Sequence, residues 1–152
     1  MKNRIPLLLT VFACLLIVTG CVDKTVKLAL PFTADDISSI EMYRFAGAPA
    51  SAEKKTVTAK GDIKTLYDKL DRLPLKSDKL EETTGAVVTS FRFNLSDGTS
   101  YELLYGCFGV KMGNLKSITG GFAYAISAYV GALWTLLSDL EALPAAESDL
   151  PH

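Results

Sequence analysis

The amino-acid sequence predicts an α+β fold, a mostly antiparallel sheet of about five strands with two helices packed on one face. Three observations predict it. Apolar residues alternate over short runs such as Phe91, Phe93 and Leu95, the period of a strand with one face inward. Between residues 62 and 73, and again between 129 and 140, they recur at three and four, the period of a helix with one apolar stripe. The strand runs follow one another across short turns, and strands joined that way pair antiparallel.

In chain order, the alternation of Val26, Leu28 and Leu30 admits an early strand. Asp35-Asp36 forms a turn. Residues 37–45 then form a strand with Ile40, Met42 and Arg44 on one face and Ser39, Glu41, Tyr43 and Phe45 on the other. Gly47-Ala48-Pro49-Ala50-Ser51 breaks it, and Lys55-Thr56-Val57-Thr58 is a short returning strand. In residues 62–73, Ile63, Leu66, Tyr67, Leu70 and Leu73 form the helical stripe, Asp62 caps or occupies the first turn, and Pro74 stops the helix.

The next hairpin tests two registers. A two-residue Asp97-Gly98 loop would set Phe93 opposite Glu102 and Leu95 opposite Ser100, mixing core and solvent sides. A three-residue Ser96-Asp97-Gly98 loop sets Phe93 opposite Tyr101, Phe91 opposite Leu103, Thr89 opposite Tyr105 and, on the reverse face, Arg92 opposite Glu102. The second register is the predicted one, with Gly98 left-handed in a type I turn plus bulge. Phe108, Val110 and Met112 alternate as a third consecutive strand ending at a Gly113-Asn114 turn. Gly120-Gly121 is a further turn, without the lysine and spaced glycines of a phosphate loop. Phe122, Tyr124 and Ile126 form the last strand. Ser127 then N-caps a second helix bearing Tyr129, Val130, Leu133, Trp134, Leu137 and Leu140, with Trp134 in the core and Pro144 at the end.

Ahead of the domain the pattern changes. Lys2 and Arg4 precede an apolar run over residues 5–18, interrupted only by Pro6 and Thr10. The run falls short of the roughly 17 to 25 residues that span a bilayer core as a helix, so it reads as a cleaved signal. Val18-Thr19-Gly20-Cys21 follows, an aliphatic residue, two small ones and a cysteine. This run resembles the lipobox of bacterial lipoproteins processed by the lipoprotein signal peptidase. The resemblance implies that Val18, Thr19 and Gly20 are the recognition residues and that the Cys21 sulfur carries a diacylglyceryl group through a thioether. It further implies a cut between Gly20 and Cys21, with the new α-amine open to acylation. Two acyl chains hold a protein at a membrane for long times where one binds only reversibly. Cys14 lies inside the apolar run and leaves with it.

The chain therefore divides into a lipoprotein signal peptide (1–20), a lipidated cysteine with a short tether (21–33), a single α+β domain (34–143) and a flexible tail (144–152). Without residues 1–20, 132 of the 152 residues remain, enough for one domain, and 14 Lys and Arg stand against 17 Asp and Glu, a formal charge of −3. Lysines interleave with acids, as in Lys76-Ser77-Asp78-Lys79-Leu80-Glu81-Glu82. That mixture offers neither the basic stripe of a nucleic-acid binder nor a polybasic membrane grip.

With Cys21 lipidated, Cys107 is the one cysteine left to the domain, which excludes an internal disulfide; it reads as a small buried hydrophobe. The one histidine is His152, which excludes Ser-His-Asp and Cys-His catalysis and histidine-rich zinc sites. No carboxylate pair is singled out, Asp35-Asp36 lacks the partners a metal needs, and no cofactor is implied. Tyr43, Tyr101, Tyr105, Tyr124 and the glycine-rich stretch 106–121 are candidate binding surfaces, but aromatics on alternating strands are usually core and receive no site.

The expected function is that of a membrane-anchored extracytoplasmic lipoprotein on the outer face of the cell membrane, a non-enzymatic binding or regulatory module of the envelope. Its expected partners are membrane lipid through Cys21 and an envelope protein or cell-surface ligand, not nucleic acid. The alternatives are an accessory subunit of an envelope complex and, behind it, a small lipid-anchored enzyme. The layout includes Ile37-Ser38-Ser39-Ile40 opening a strand, the Ser96-Asp97-Gly98 hairpin and a closing helix. It is similar to small uncharacterised lipoproteins of Gram-positive bacteria, which implies the outer face of the cytoplasmic membrane.

Overall fold

Antiparallel backbone pairing organises the molecule. The computed structural model describes residues 25–76, 86–107 and 113–151. In chain order these form β1 (Val26–Lys27), β2 (Ile37–Ala46), β3 (Glu53–Val57), α1 (Lys60–Leu70), β4 (Pro74–Leu75), β5 (Val87–Leu95), β6 (Ser100–Cys107), β7 (Gly113–Ser117), β8 (Phe122–Ile126), α2 (Leu133–Leu136) and β9 (Leu143–Pro144). Among the described residues the fold is a sheet-dominated α+β arrangement. Seven strands run in the order β8-β7-β6-β5-β2-β3-β9, and β1 and β4 form a separate two-stranded ribbon. The expected count of about five strands is therefore too low. Two-residue strands such as β9 are too short to carry the alternation by which a strand is read from sequence.

The sheet has an inner and an outer face. Ile40, Met42, Val57, Phe91, Phe93, Leu103, Tyr105 and Leu115 point inward and are almost wholly buried. Ile63, Leu66 and Leu70 of α1 are fully buried in the same cluster. The β5–β6 register is the predicted one, with Phe93 opposite Tyr101, Phe91 opposite Leu103, Thr89 opposite Tyr105 and Arg92 opposite Glu102. The Leu95 amide donates to Thr99 O at 2.9 Å and the Gly98 amide to Leu95 O at 3.1 Å, closing a loop in which Gly98 has φ +87°. A side chain at Gly98 would meet open space, so the demand for glycine comes from backbone conformation alone.

Other elements differ from expectation. The helix predicted over 62–73 spans Lys60–Leu70, with Asp62 in its first turn and Asp71 as its C-cap. Arg72, at φ +64°, turns the chain, and its amide donates to Leu28 O at 2.9 Å. The ribbon thus takes the residues between Leu70 and Pro74, and the helix stops before the proline. The predicted strand at 108–112 lies outside the described residues. Gly113-Asn114, expected as a turn, instead opens β7, paired with Cys107 and Gly106. Any Cβ at Gly113 would lie 2.5 Å from the Tyr105 ring, so this glycine serves close packing rather than a bend.

The second helix is the largest correction. Where residues 129–140 were expected to be helical, the structure has a 3-10 turn, Val130–Ala132, and the single α-turn α2; Ser127 caps neither. Gly131, β-branched Val130 and Thr135, and Ser138-Asp139 are poor helix formers, and the segment is held by burial of Val130, Leu133 and Trp134. The ammonium of Lys55, only 6 % exposed, donates to Trp134 O at 3.2 Å and Leu137 O at 2.8 Å, capping the short turn from across the core.

Both ends of the described residues pack against the fold. Leu28, Leu30 and Phe32, assigned to a tether, are buried in the main core. The tail expected to be flexible pairs through β9 with β3, and its Ala145 amide donates to Ala52 O at 2.9 Å. Leu150 is buried with Tyr43 and Ala52 on the outer face. Tyr43 and Phe45 make that face apolar enough to need a cover, and the tail supplies it.

Candidate functional site

Val18, Thr19, Gly20 and Cys21 lie outside the described residues, which begin at Thr25, four positions beyond Cys21. Among the described residues, no helix is long and apolar enough to cross a membrane, and no three His, Cys, Asp or Glu side chains gather as metal ligands.

The tyrosines do not converge. Tyr101 and Tyr105 are buried on the inner face, whereas Tyr43 is buried on the outer face. Tyr124, half-buried on β8, lies with its ring centroid 5.7 Å from that of Phe122. Of the 106–121 stretch, Gly106, Cys107 and residues 113–121 are described; they form the end of β6, the whole of β7 and the turn into the edge strand β8. Cys107 is half-buried at the end of β6. Burial, and a hydrogen bond with Cys107, push the Tyr105 phenol well above its usual range. Trp134 is core, as expected, with the Lys55 ammonium 5.0 Å from its ring centre.

Polar side chains gather instead on the outer face. Glu41 of β2, Arg92 of β5 and Glu102 of β6 form one row across three strands. Arg92 Nε donates to Glu102 Oε1 at 2.7 Å, and its Nη1 donates to Glu41 Oε2 at 3.2 Å and to Tyr43 Oη at 3.0 Å. The Tyr43 hydroxyl donates to Glu41 Oε2 at 2.8 Å, and Lys54 Nζ reaches Glu41 Oε1 at 3.5 Å. The remaining fork nitrogen, Arg92 Nη2, donates to the Asp149 carbonyl at 3.0 Å and so grips the C-terminal segment.

The electrostatics describe a fastening. Two cations face two carboxylates, and the side-chain exposures of Arg92, Glu41 and Glu102 are 23 %, 21 % and 19 %. Burial acts to raise the Glu41 pKa, but the Tyr43 hydroxyl, Lys54 and Arg92 together hold it below the usual carboxylate value. Burial and the Glu41 carboxylate push the Tyr43 phenol far above its usual value. Both shifts follow from the same contacts, which favour the charged form of Glu41 and the neutral form of Tyr43. Arg92 opposite Glu102 was readable from the hairpin. The contribution of Glu41 and Tyr43 was not, because it depends on β2 pairing with β5 across a sequence separation of about fifty residues.

Comparison with protein families, curated proteins and solved structures found no match to this chain.

Proposed function

We propose that the protein is a lipid-anchored extracytoplasmic lipoprotein whose domain serves as a non-enzymatic binding or regulatory module at the outer face of the cell membrane. The observation that carries this is the Val18-Thr19-Gly20-Cys21 run directly after a short apolar segment headed by Lys2 and Arg4. A thioether-linked diacylglyceryl group on Cys21, with a further acyl chain on its amine, gives an anchor that does not dissociate on a cellular timescale. Tethering then raises the local concentration of the domain near other envelope components, which is sufficient benefit for a domain with no chemistry of its own.

Mass spectrometry of the protein purified from its native host tests the reading. The expected N-terminal residue is Cys21 with added lipid mass, and Cys21→Ala should leave the precursor uncut and shift it off the mature position. An unmodified thiol at position 21 in wild-type protein would overturn the proposal.

A further inference from the structure

We propose that the β1–β4 ribbon is the membrane-facing side of the anchored domain, and that Lys27, Arg72 and Lys76 on it engage the headgroups of anionic phospholipids; this rests on lipidation of Cys21.

The argument starts from the length of chain between anchor and fold. Val26 is five residues beyond Cys21, so even a fully extended connection reaches about 17 Å. The seven-stranded sheet is wider than that. Its six inter-strand intervals at about 4.8 Å make it roughly 29 Å across, with β8 at one edge and β9 at the other. The ribbon belongs to the β8 edge, because the Lys76 amide donates to Ala125 O of β8 at 2.8 Å. A lipid on Cys21 therefore brings the ribbon edge to the bilayer, and the connection is too short for the domain to turn over and present β9.

The register then supplies the charges. Lys27 pairs with Pro74 and Val26 with Leu75. Leu75 is buried, so Pro74 and Lys27 face outward, and Lys76, two residues after Pro74, is exposed with them. Arg72 sits where the chain turns into the ribbon, its side chain 82 % exposed and paired only loosely with Asp71, Nε to Oδ2 at 3.4 Å. Asp71 is itself held inward, accepting from the Leu30 amide at 3.4 Å. Exposed Glu53 and Glu141 lie at or beside the far edge, against β9.

Anionic lipid is the partner that fits. Each Lys or Arg near such a surface favours binding by about fivefold at physiological salt. Three such residues fall short of the four to eight of a polybasic recruiting segment. They suffice to orient a domain that two acyl chains already hold at high local concentration.

The test uses the full lipidated protein in vesicles of phosphatidylcholine alone or with phosphatidylglycerol, treated with a membrane-impermeant amine-acylating reagent. Labelling is read lysine by lysine. Lys27 and Lys76 should be modified about fivefold more slowly in the anionic vesicles, with Lys54 unchanged, and about 1 M salt should abolish the difference. Arg72→Gln leaves both lysines to be read and should weaken their protection. Equal labelling of Lys27 and Lys76 in both vesicles, on protein carrying the lipid mass, overturns the assigned face and leaves the anchor standing. Protection in native membranes but in neither vesicle overturns it in favour of a protein on the ribbon. Absence of lipid on Cys21 overturns anchor and face together.

Discussion

The two ends of the described chain, a leading segment expected as a tether that admits an early strand and a trailing one expected as a flexible tail, are both packed against the fold, but on opposite faces and by different means. The leading segment sends Leu28, Leu30 and Phe32 into the main core. The Phe32 ring lies 5.3 Å from those of Phe93 and Tyr101 and 6.3 Å from that of Tyr67. The trailing segment instead closes a satellite cluster of Tyr43, Ala52 and Leu150 and is held by the β9–β3 pairing, the Ala145 amide on Ala52 O and a hydrogen bond from Arg92 to Asp149 O. Free energy from apolar burial scales with the area covered, so the first end is integral to global stability and the second is a locally releasable cover.

The strongest way to break this comparison is Phe32→Ala, which should destabilise the whole domain by about 3 to 5 kcal/mol, read as a lowered urea midpoint. Leu150→Ala should cost about 2 kcal/mol, and the loss should be local: amide exchange at Ala145 should accelerate while the β5–β6 amides stay protected. Were Leu150→Ala to match Phe32→Ala in global effect, the distinction between the ends would fail. Arg92→Met should cost about 1 to 2 kcal/mol, because Glu102 loses its cation, Glu41 is left with Lys54 and the Tyr43 hydroxyl, and Asp149 O loses its donor.

The smallest effect is that of pH. Glu41 has a folded pKa held below its ordinary 4.5, so its contribution is fully present above 4.5 and is lost as pH falls through the lowered value. Tyr43 has a folded pKa raised above its ordinary 10.0, so unfolded chains release its proton first and stability declines as pH rises past 10. The Leu150 methyl resonances, held beside Tyr43, should therefore keep their native shifts between about pH 5 and 9.5 and drift only outside that window. A transition near pH 7 would point to a titrating group other than these.

The contrast also marks how far sequence reading extends. The β5–β6 hairpin was legible pair by pair because period-two alternation and a Gly98 demanded by the turn are local signals that agree. The stripe of α1 was legible for the same reason, through Ile63, Leu66 and Leu70. The segment after Ser127 carried the same stripe and did not become a long helix. Periodicity records which residues seek burial, while Gly131 and the Lys55 cap decide how much of the backbone is helical. Of the sites, the Val18 to Cys21 run is a local motif and so a proposal open to sequence alone, and half of the Arg92 cluster is legible because Glu102 lies across one turn.

By itself, the amino-acid sequence determined the α+β class, the hairpin register and the α1 stripe, all of which depend on residues close to one another along the chain. Tertiary structure alone decided that β2 lies between β3 and β5, that Leu150 covers Tyr43, and that Lys27, Arg72 and Lys76 share one edge. Those juxtapositions join residues tens of positions apart, where the energy resides in mutual burial and pairing, and alternation along a single strand says which face is apolar but not what will cover it.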